Sequence, residues 1–421
     1  MKPKILTTLE TYSLKLFWDD LLAGVTVAMV AIPLSLAIAI ASGAEPATGI
    51  VTAIVAGFLI SALGGSRVQI GGPTGAFIVV VYSVIADHGF DGLVLATFMA
   101  GVILIIAGFF RAGKLISFVP EAVVNGFTMG IAIVIAASQL KDLFGLSMET
   151  VPADFLEKIP ALWAARGSFN LSAFALGAAS IAVIVFLRRL APKWPGLIVA
   201  VGLASASALL LALPVDTIGS RFGALPNHLP APQLPAISFE RVRELLPSAF
   251  VIAFLAGVES LLSAMVADRM SGGRHRPNAE VLAQGAANIG SSLFGGLPAT
   301  GAIARTATNI RAGGKTPVSG IVHALTILVV MMAAAPLAGY LAMPALAGLL
   351  MITAWNMSEP HKWRSYFLEG PVSDRALLLL TLVLTVVADL TIAIGVGVSL
   401  GLAIRLQRRN VPPADWETPD R

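Results

Sequence analysis

A polar stretch inside a very apolar chain, residues 296–317, carries the side chains best suited to bind a charged ligand. It reads GLPATGAIARTATNIRAGGKTP, so glycine and proline interrupt the chain at both of its ends. A helix of about 12 to 14 residues between these breaks would, at roughly 1.5 Å per residue, cover about half of a bilayer core near 30 Å. The first turn of such a helix would direct free N–H groups and the positive end of its dipole into the protein. The stretch therefore predicts an anion site.

A matching pattern lies in the first half of the chain. Residues 71–77 read GGPTGAF and residues 296–303 read GLPATGAI, and the prolines Pro73 and Pro298 lie 225 positions apart. Paired short segments of this kind indicate the binding site of a secondary transporter. The alternative is plain N-capping and close helix crossing. The substrate-binding residues expected at the two helix starts are Thr74, Gly75, Ala76, Phe77, Thr300, Gly301 and Ala302.

Two charged residues are expected at membrane depth. Arg305 would lie about seven residues into the second short helix, roughly 10 Å from its start. An arginine at that depth is costly and usually functional, although a snorkelling side chain or a structural ion pair is the alternative. Glu259 is the one carboxylate in its apolar run, and we expect it to pair with Arg305 and to carry the coupling proton, with a fixed salt bridge as the alternative. Ser263, one turn later on the same face, would assist Glu259.

Other polar residues of the apolar segments carry weaker expectations. Ser35 follows Pro33, where a break would open the backbone towards the cavity, although a serine bonded back to its own helix is an equal alternative. His323 is predicted to be a core histidine whose hydrogen bonds are satisfied. Residues predicted to form hydrogen bonds between helices are Asn125, Gln139, Gln284 and Asn288. The chain has no cysteine and no zinc-protease or Walker pattern, so neither a cofactor nor an enzymatic role is expected.

The composition predicts an all-α polytopic membrane protein. Hydrophobic residues make up 57% of the chain and charged residues 12%, against roughly 25% charged in a soluble domain. Apolar runs separated by charged residues, glycine and proline give fourteen predicted spans, numbered 1 to 14 in chain order. Their ranges are 19–42, 47–64, 73–87, 91–110, 118–139, 170–189, 195–213, 245–267, 278–294, 298–310, 317–335, 337–356, 374–390 and 391–408. Spans 3 and 10 are the two half-length helices.

The fourteen spans divide into seven plus seven, and an odd number per repeat inverts the second copy. Span 1 begins near residue 19 and span 8 near residue 245, which agrees with the offset between the two prolines. The expected domains are a first inverted repeat (1–213), a proline-rich connection (214–244), a second inverted repeat (245–409) and a cytoplasmic tail (410–421). Most lysines and arginines fall in the predicted inner loops, which places both termini in the cytoplasm of a protein of the inner (plasma) membrane.

Long motifs in both halves resemble the SulP sulfate-permease family of anion transporters. The second half carries FLAGVESLLSAMVADRMSGGRHRPNAEVLAQGAANIGSSLFGGLP followed by ATGAIARTATNIRAGGKTPVSGIVHA. The first half carries VAMVAIPLSLAIAIASGAEPATGIVTAIVAGFLISALGGSRVQIGGPTGAF. The resemblance implies the inverted-repeat fold of uracil-permease-type transporters, with spans 1–4 and 8–11 as core and the others as gate. It also implies that Arg305 lies beside the anion pocket. In sodium-coupled relatives the matching position resembles an aspartate that holds the ion. A glutamate at this position, Glu259, implies coupling to protons instead.

Two departures from the family pattern stand out. Family members usually continue into a cytoplasmic STAS domain, whereas this sequence stops at Arg421, so we expect a truncated chain. The family often has glutamine after the proline of span 1 and an aromatic residue four positions later, whereas Leu34 and Ile38 occupy these places here. This side of the site is therefore expected to be more apolar.

The sequence thus predicts a secondary active anion transporter. We expect proton-coupled symport of a small inorganic or dicarboxylate anion by alternating access. The alternatives are an uncoupled anion exchanger or channel and, from another class, a non-transporting membrane sensor or an intramembrane enzyme. The expected partners are a small anion, protons and the lipid bilayer, with a homodimer left open and nucleic acid excluded.

Overall fold

The computed structural model describes residues 2–111, 113, 119–148, 151–191, 195–369, 371–388 and 390–407. The predicted tail, 410–421, lies outside the described residues. The described chain is helical apart from two short strands, and its connections include 3₁₀ turns at Leu9–Thr11, Gly75–Phe77, Ala165–Ser168 and Pro360–Lys362. The elements, in chain order, are α1 (Lys4–Thr8), α2 (Leu14–Ala41), α3 (Pro46–Leu63), β1 (Gly71–Gly72), α4 (Ile78–Phe109), α5 (Glu121–Leu143), α6 (Phe155–Ala164), α7 (Leu171–Leu190), α8 (Gly196–Leu210), α9 (Ile218–Phe222), α10 (Phe239–Ser271), α11 (Pro277–Leu293), β2 (Thr300–Gly301), α12 (Ile303–Arg311), α13 (Pro317–Ala338), α14 (Met343–Met357), α15 (Trp363–Leu368), α16 (Val372–Val387) and α17 (Leu390–Gln407).

Local sequence signals set several of the helix starts. The side chains of Ser13, Ser238 and Thr316 accept hydrogen bonds from backbone N–H groups in the first turns of α2, α10 and α13. Proline occupies the first turn of α3 and of α11, at Pro46 and Pro277, where its missing N–H is not needed. These caps satisfy donors that a helix cannot satisfy within itself.

Most helix bounds lie within a few residues of the predicted spans, and the main difference concerns spans 3 and 4. Predicted spans 3 and 4 run into each other as α4, and only Gly89 departs from helical geometry, with φ 71° and ψ 178°. Glycine adopts this positive φ without the penalty that a side chain would impose, so the connection is a kink rather than a loop. The long segments between predicted spans 5 and 6 and between spans 7 and 8 contain the short helices α6 and α9, which the sequence pattern did not predict. The short helices α1 and α15 also lie outside the predicted spans.

By length and hydropathy, seven helices of the described chain could cross a membrane. They are Leu14–Ala41, Pro46–Leu63, Gly75–Phe109, Glu121–Leu143, Leu171–Leu190, Phe239–Ser271 and Pro317–Ala338. Gly196–Leu210 and Thr391–Ile404 are apolar but shorter. The protein is therefore a multi-helix membrane protein, and the fourteen spans in an inverted repeat stay a prediction.

A two-stranded sheet joins the two halves of the chain. β1 pairs antiparallel with β2, so that Gly71 lies opposite Gly301 and Gly72 opposite Thr300. These strands are the two segments that share the glycine–proline pattern. Their pairing satisfies backbone groups that would otherwise be buried without partners, which is the condition for irregular backbone at membrane depth.

The helices pack in two groups. In the first, α11 packs against α3 and α4, α13 against α2 and α3, and α10 against α4 and α12. In the second, α14 and α16 pack against α5, and α7 packs against α8 and α14. The sheet belongs to the first group, because β1 contacts α3 and β2 contacts α10. At Gly75 the first group meets the second, since an added side-chain carbon there would lie 2.9 Å from Met357 Sδ of α14.

Candidate functional site

The start of predicted span 3 is a 3₁₀ turn, Gly75–Phe77, that leads directly into α4. Gly75, Ala76 and Phe77 are buried, whereas Thr74, which precedes them in extended conformation, is partly exposed. The Thr74 hydroxyl does not cap this turn and instead donates to Glu259 Oε2 at 2.9 Å. This residue therefore links the start of span 3 to α10 rather than serving as an N-cap.

The start of predicted span 10 differs from the prediction. Thr300 and Gly301 do not begin a helix but form β2, Ala302 is the N-cap, and α12 begins only at Ile303. The chain stays extended because its backbone pairs with β1 and because the Ala302 N–H donates to the carbonyl of Ile70 at 2.8 Å. The prediction that Thr300, Gly301 and Ala302 form the helix start is therefore wrong for the first two.

The hydroxyl of Thr300 has a partner of its own. It donates to the carbonyl oxygen of Ala256 on α10 at 2.8 Å, and the residue is fully buried. Thr300 therefore anchors β2 to α10 through its side chain and to β1 through its backbone. These contacts of Thr300 hold the segment before α12 in place.

Arg305 is the third residue of α12, not the seventh of a longer helix, and its side chain is 1% exposed. Nη2 donates to Ser35 Oγ and to the carbonyl oxygen of Pro73, both at 3.1 Å. Nε and Nη1 have no hydrogen-bond partner among the described residues. The snorkelling alternative does not fit this burial, and no carboxylate of the described chain forms an ion pair with Arg305. Two buried cationic donor atoms thus lack an acceptor among the described residues.

A close backbone approach fixes the position of the guanidinium. Gly72 lies directly against Nη1 of Arg305, since an added side-chain carbon at this glycine would lie 2.4 Å from that nitrogen. The backbone of Gly72 has φ 152°, a conformation that favours glycine. Glycine at this position of β1 therefore leaves the space that the arginine fills.

Ser35 reaches Arg305 without the break predicted after Pro33. The helix α2 continues from Leu14 to Ala41 with Pro33 inside it, and Ser35 is fully buried. Gly49 of α3 packs on this part of α2, because a side-chain carbon there would lie 2.1 Å from the carbonyl oxygen of Ser35. The close packing of α3 holds Ser35 towards α12.

The predicted pair of Glu259 and Arg305 is not formed. In the described structure the partner of Glu259 is Thr74, whereas Arg305 bonds to Ser35 and Pro73. The two charged residues are connected only through the adjacent residues Pro73 and Thr74. Glu259 is partly exposed as a residue, and its carboxylate lies beside the turn of span 3 through the bond to Thr74.

Ser263 is engaged by α12 rather than by Glu259. Its hydroxyl lies 3.1 Å from that of Thr306, which in turn accepts a hydrogen bond from the Ile70 N–H at 3.0 Å. Both hydroxyl residues are fully buried. Ser263 therefore positions α12 against the residue before β1, and its expected help to Glu259 is not seen in the hydrogen bonds of the described chain.

A buried carboxylate beside the site was missed by the sequence reasoning. Glu280 in the first turn of α11 is fully buried and accepts hydrogen bonds from Ser260 Oγ, Gln284 Nε2 and the N–H groups of Gly65 and Ser66. Four donors offset the cost of burying this group. The available signal was Gln284, four residues later on the same helix face.

Two of the residues predicted to join helices behave differently. Asn288 binds both the carbonyl and the N–H of Ala299 at 2.9 Å and so fastens α11 to the segment before β2, as expected. Gln284 instead bonds within its own helix, to Glu280.

The prediction for His323 is wrong, because the ring is fully buried and neither nitrogen has a partner among the described residues.

A cavity of about 40 Å³ lies away from these residues, between α2, α3 and α13. Its lining consists of isoleucine, leucine, alanine, valine, methionine and proline side chains. Such a lining offers no charged or hydroxyl donor to an anion. Two unpartnered cationic nitrogen atoms of the described chain lie instead at Arg305, beside β1 and the start of α12.

Comparison with known sequences identifies a family. Residues 17–368 match the model of the sulfate permease family. The chain is 43% identical over 375 residues to the putative sulfate transporter YvdB of Bacillus subtilis, an alignment that covers 89% of this chain and 71% of that protein. It is 32% identical over 341 residues to the bicarbonate transporter BicA of Picosynechococcus sp., covering 78% of this chain and 60% of that protein. The matched part is thus shorter than both relatives.

Comparison with solved structures supports the same assignment. The transmembrane domain of a cyanobacterial bicarbonate transporter BicA superimposes with a TM-score of 0.82 at 31% identity, covering 91% of this chain and 99% of that domain. SLC26A9 superimposes with a TM-score of 0.88 at 18% identity, covering 97% of this chain and 68% of that protein, and this likeness concerns the fold alone. The relatives are named as transporters rather than as enzymes.

Proposed function

This chain belongs to the sulfate permease family, and on that premise we propose that it is a secondary active anion transporter coupled to protons. Its substrate is a small inorganic anion or a small dicarboxylate, with sulfate and bicarbonate as first candidates because relatives are named for them. The observation that carries the proposal is the buried guanidinium of Arg305, which has two nitrogen atoms without a partner in the described chain.

The chemistry of Arg305 favours an anion over a neutral or cationic solute. A charged group isolated at membrane depth is costly, and an anion that accepts from Nε and Nη1 would offset this cost. Arg305 lies in the first turn of α12, where the helix adds roughly half a positive charge and free N–H groups. Charge-assisted hydrogen bonds of this type contribute about 1.5–3 kcal/mol each.

The transport cycle rests on the two packing groups. We assign the group built on α2, α3, α4 and α10–α13 as the core domain and the other as the gate, within fourteen spans of inverted seven-plus-seven arrangement. The shared glycine–proline pattern and the pairing of β1 with β2 support an internal repeat. The anion would bind between the two helix starts, where Gly75 faces Met357 of the gate. Alternating access then follows from movement of the core against the gate.

The two repeats also define how the chain is oriented in the membrane under this proposal. The domains are the first repeat (1–213), the connection (214–244) and the second repeat (245–409), in the inner (plasma) membrane with both termini cytoplasmic. The concentration of lysine and arginine in the assigned inner loops supports this orientation.

Proton coupling is assigned to Glu259. Its carboxylate accepts from Thr74, and a hydroxyl donates more strongly to an ionised than to a protonated carboxyl group. Pro73, the neighbour of Thr74, accepts from Arg305, so an anion that draws on the guanidinium also acts on the segment that binds Glu259. Anion occupancy and protonation of Glu259 are coupled by linkage if each changes this shared segment.

The proposal is tested by flux measurements in proteoliposomes. Uptake of labelled sulfate, bicarbonate, chloride and succinate is measured with and without an inward proton gradient, with a sodium gradient and uracil uptake as controls. Accumulation of at least one anion that follows the proton gradient and is not supported by sodium agrees with the proposal. Downhill anion flux that is unaffected by the proton gradient and by the sodium gradient would favour an uncoupled exchanger or channel. Uracil uptake without any anion flux would contradict the proposal, and absence of all flux would favour a sensor.

A further inference from the structure

His323 is a buried titratable residue that the proposed cycle does not use. It lies in α13, its side chain is 0% exposed, and neither Nδ1 nor Nε2 has a hydrogen-bond partner in the described part of the chain. A neutral imidazole carries one N–H donor and one acceptor, and burying both unpaired is costly. A ring kept in this state calls for a functional explanation.

The ring lies beside the sheet that holds the anion site. An added side-chain carbon at Gly57 of α3 would lie 3.7 Å from Nδ1 and Cε1 of His323 and 3.2 Å from the carbonyl oxygen of Gly71 in β1. The next strand residue, Gly72, lies against Nη1 of Arg305. His323 and the unpartnered side of Arg305 therefore flank the same short strand.

Arg305 is the charged side chain that lies beside the same strand as the ring, since Gly72 of β1 lies against its Nη1. The charged side chains of the other elements packed on α13 lie elsewhere. The helix α3 has none, and Lys4 of α1 lies near the inner end of α3, where its N–H donates to the carbonyl oxygen of Gly64. On α2, Asp19 and Asp20 bind Lys315 and Thr316 at the start of α13, about two turns before His323. Among these charged groups Arg305 is the one beside the same strand as the ring, and its charge adds to the cost that burial imposes on a protonated ring.

We propose that His323 takes up a proton when an anion occupies the site at Arg305, which makes it a second coupling residue beside Glu259. The inference rests on the proposed function. In the empty site a protonated ring is repelled by the buried guanidinium. A bound anion offsets that positive charge and removes the repulsion, so the ring accepts a proton at its unprotonated nitrogen. By reciprocity the protonated ring strengthens anion binding by the same factor. The proton leaves the ring when the anion leaves.

The direct test observes the ring itself. Replacing His88, His228, His275 and His361 by glutamine leaves His323 as the single histidine of the chain. Nitrogen-15 spectra of its imidazole are recorded in the purified full chain without anion and with saturating sulfate, bicarbonate or chloride. The proposal expects the spectrum of a neutral ring to change to that of an imidazolium when the anion binds. A ring that keeps the same protonation state in the saturated site overturns it.

A second measurement counts protons. Anion binding and proton uptake are followed together with a pH-indicator dye for the parent chain, His323→Gln, and the matched control His361→Gln, which alters an exposed histidine. The parent and the control should take up the same number of protons per bound anion, and His323→Gln should take up fewer, by up to one. Equal proton uptake by all three overturns the inference while leaving anion binding intact. If the parent binds no anion of the panel, the proposed function itself fails and the inference falls with it.

Discussion

Arg305 Nη2 donates a hydrogen bond to the Pro73 carbonyl oxygen at 3.1 Å, across 232 positions of the chain. The next residue, Thr74, donates to Glu259 at 2.9 Å. The two charged residues are thus joined by the dipeptide Pro73–Thr74, just before the turn that leads into α4, rather than by a salt bridge. This arrangement leaves two nitrogen atoms of the guanidinium without acceptors in the described structure. In the proposed function it is also the route by which Glu259 responds to a bound anion.

Thr74→Val should separate binding from coupling. Valine keeps the shape of the side chain but removes the hydroxyl that donates to Glu259. The Thr74 hydroxyl does not bind Arg305, so we expect anion binding to change by less than about tenfold. The response to a proton gradient should weaken, because the donor that favours ionised Glu259 is gone. Uptake in proteoliposomes with and without the gradient measures both, and an unaltered pH response in the valine variant would show that Thr74 does not connect the two functions.

Gly72→Ala should weaken anion binding from within the sheet. An added carbon would lie 2.4 Å from Arg305 Nη1, and the φ of 152° is unfavourable for alanine, so the guanidinium must move. Gly202→Ala on α8 is the matched control, because an added carbon there meets no atom within 4 Å. Anion affinity should fall for the first variant and stay unchanged for the second, while both elute as folded protein in size-exclusion chromatography. Equal affinity in the two variants would contradict the packing described for Arg305.

Glu259→Gln should remove proton-driven accumulation. The amide mimics a permanently protonated carboxyl group, so the residue no longer exchanges a proton as the core moves. Downhill exchange of the anion should survive, because Arg305 keeps its contacts with Ser35 and Pro73. The measurement compares uptake at acidic and neutral external pH for the parent and the variant. The same pH dependence in both would exclude Glu259 as a coupling residue.

Lys158 lies outside the membrane-spanning helices, and its burial should make the stability of the protein depend on pH. Its side chain on α6 is buried, donates to Ser138 Oγ at 2.9 Å and lies over the ring of Tyr82 at 5.5 Å. Burial lowers the pKa of Lys158 to about 8, which the charge of Asp154 partly opposes. The unfolded chain has a pKa near 10.4 at this residue, so between about pH 8 and that value the unfolded state binds more protons and the free energy of unfolding rises with pH.

Lys158→Met removes this titration, so the variant serves as the reference for the parent. The thermal midpoint of the parent should rise relative to that of Lys158→Met as the pH is raised through this window. Both midpoints are measured in the same detergent. A difference between the two that stays constant across the window would contradict the pKa assigned to Lys158.

The features that depend on local chemistry were predictable from sequence. The glycine–proline breaks, the short helix α12 and the position of Arg305 inside the protein all follow from residue types and spacing between 296 and 317. The extended conformation of Thr300 and Gly301 was not predictable in this way, because it depends on pairing with residues more than two hundred positions earlier.

The hydrogen-bond partners of the charged groups could be identified only from the fold. From sequence, Glu259 was the natural partner for Arg305, since opposite charges in an apolar environment attract. The acceptors are instead a backbone carbonyl and Ser35, which leave no local signal. Glu280 resembled an ordinary acidic residue of a helix start, and only the packing of α11 brings its four donors together.

Arg305 carries the central claim, and its replacement tests that claim most directly. Binding of labelled sulfate, bicarbonate, chloride and succinate is compared for the parent, Arg305→Ala, Arg305→Lys and the control Arg311→Ala, which removes a positive charge from the exposed end of the same helix. Because a lost charge-assisted hydrogen bond costs about 1.5–3 kcal/mol, Arg305→Ala should bind roughly tenfold to a hundredfold more weakly or not at all. Arg305→Lys should recover only part of the affinity, since an ammonium group lacks the planar fork. Arg311→Ala should bind like the parent. Anion binding by a folded Arg305→Ala protein at the parent's affinity would contradict the account.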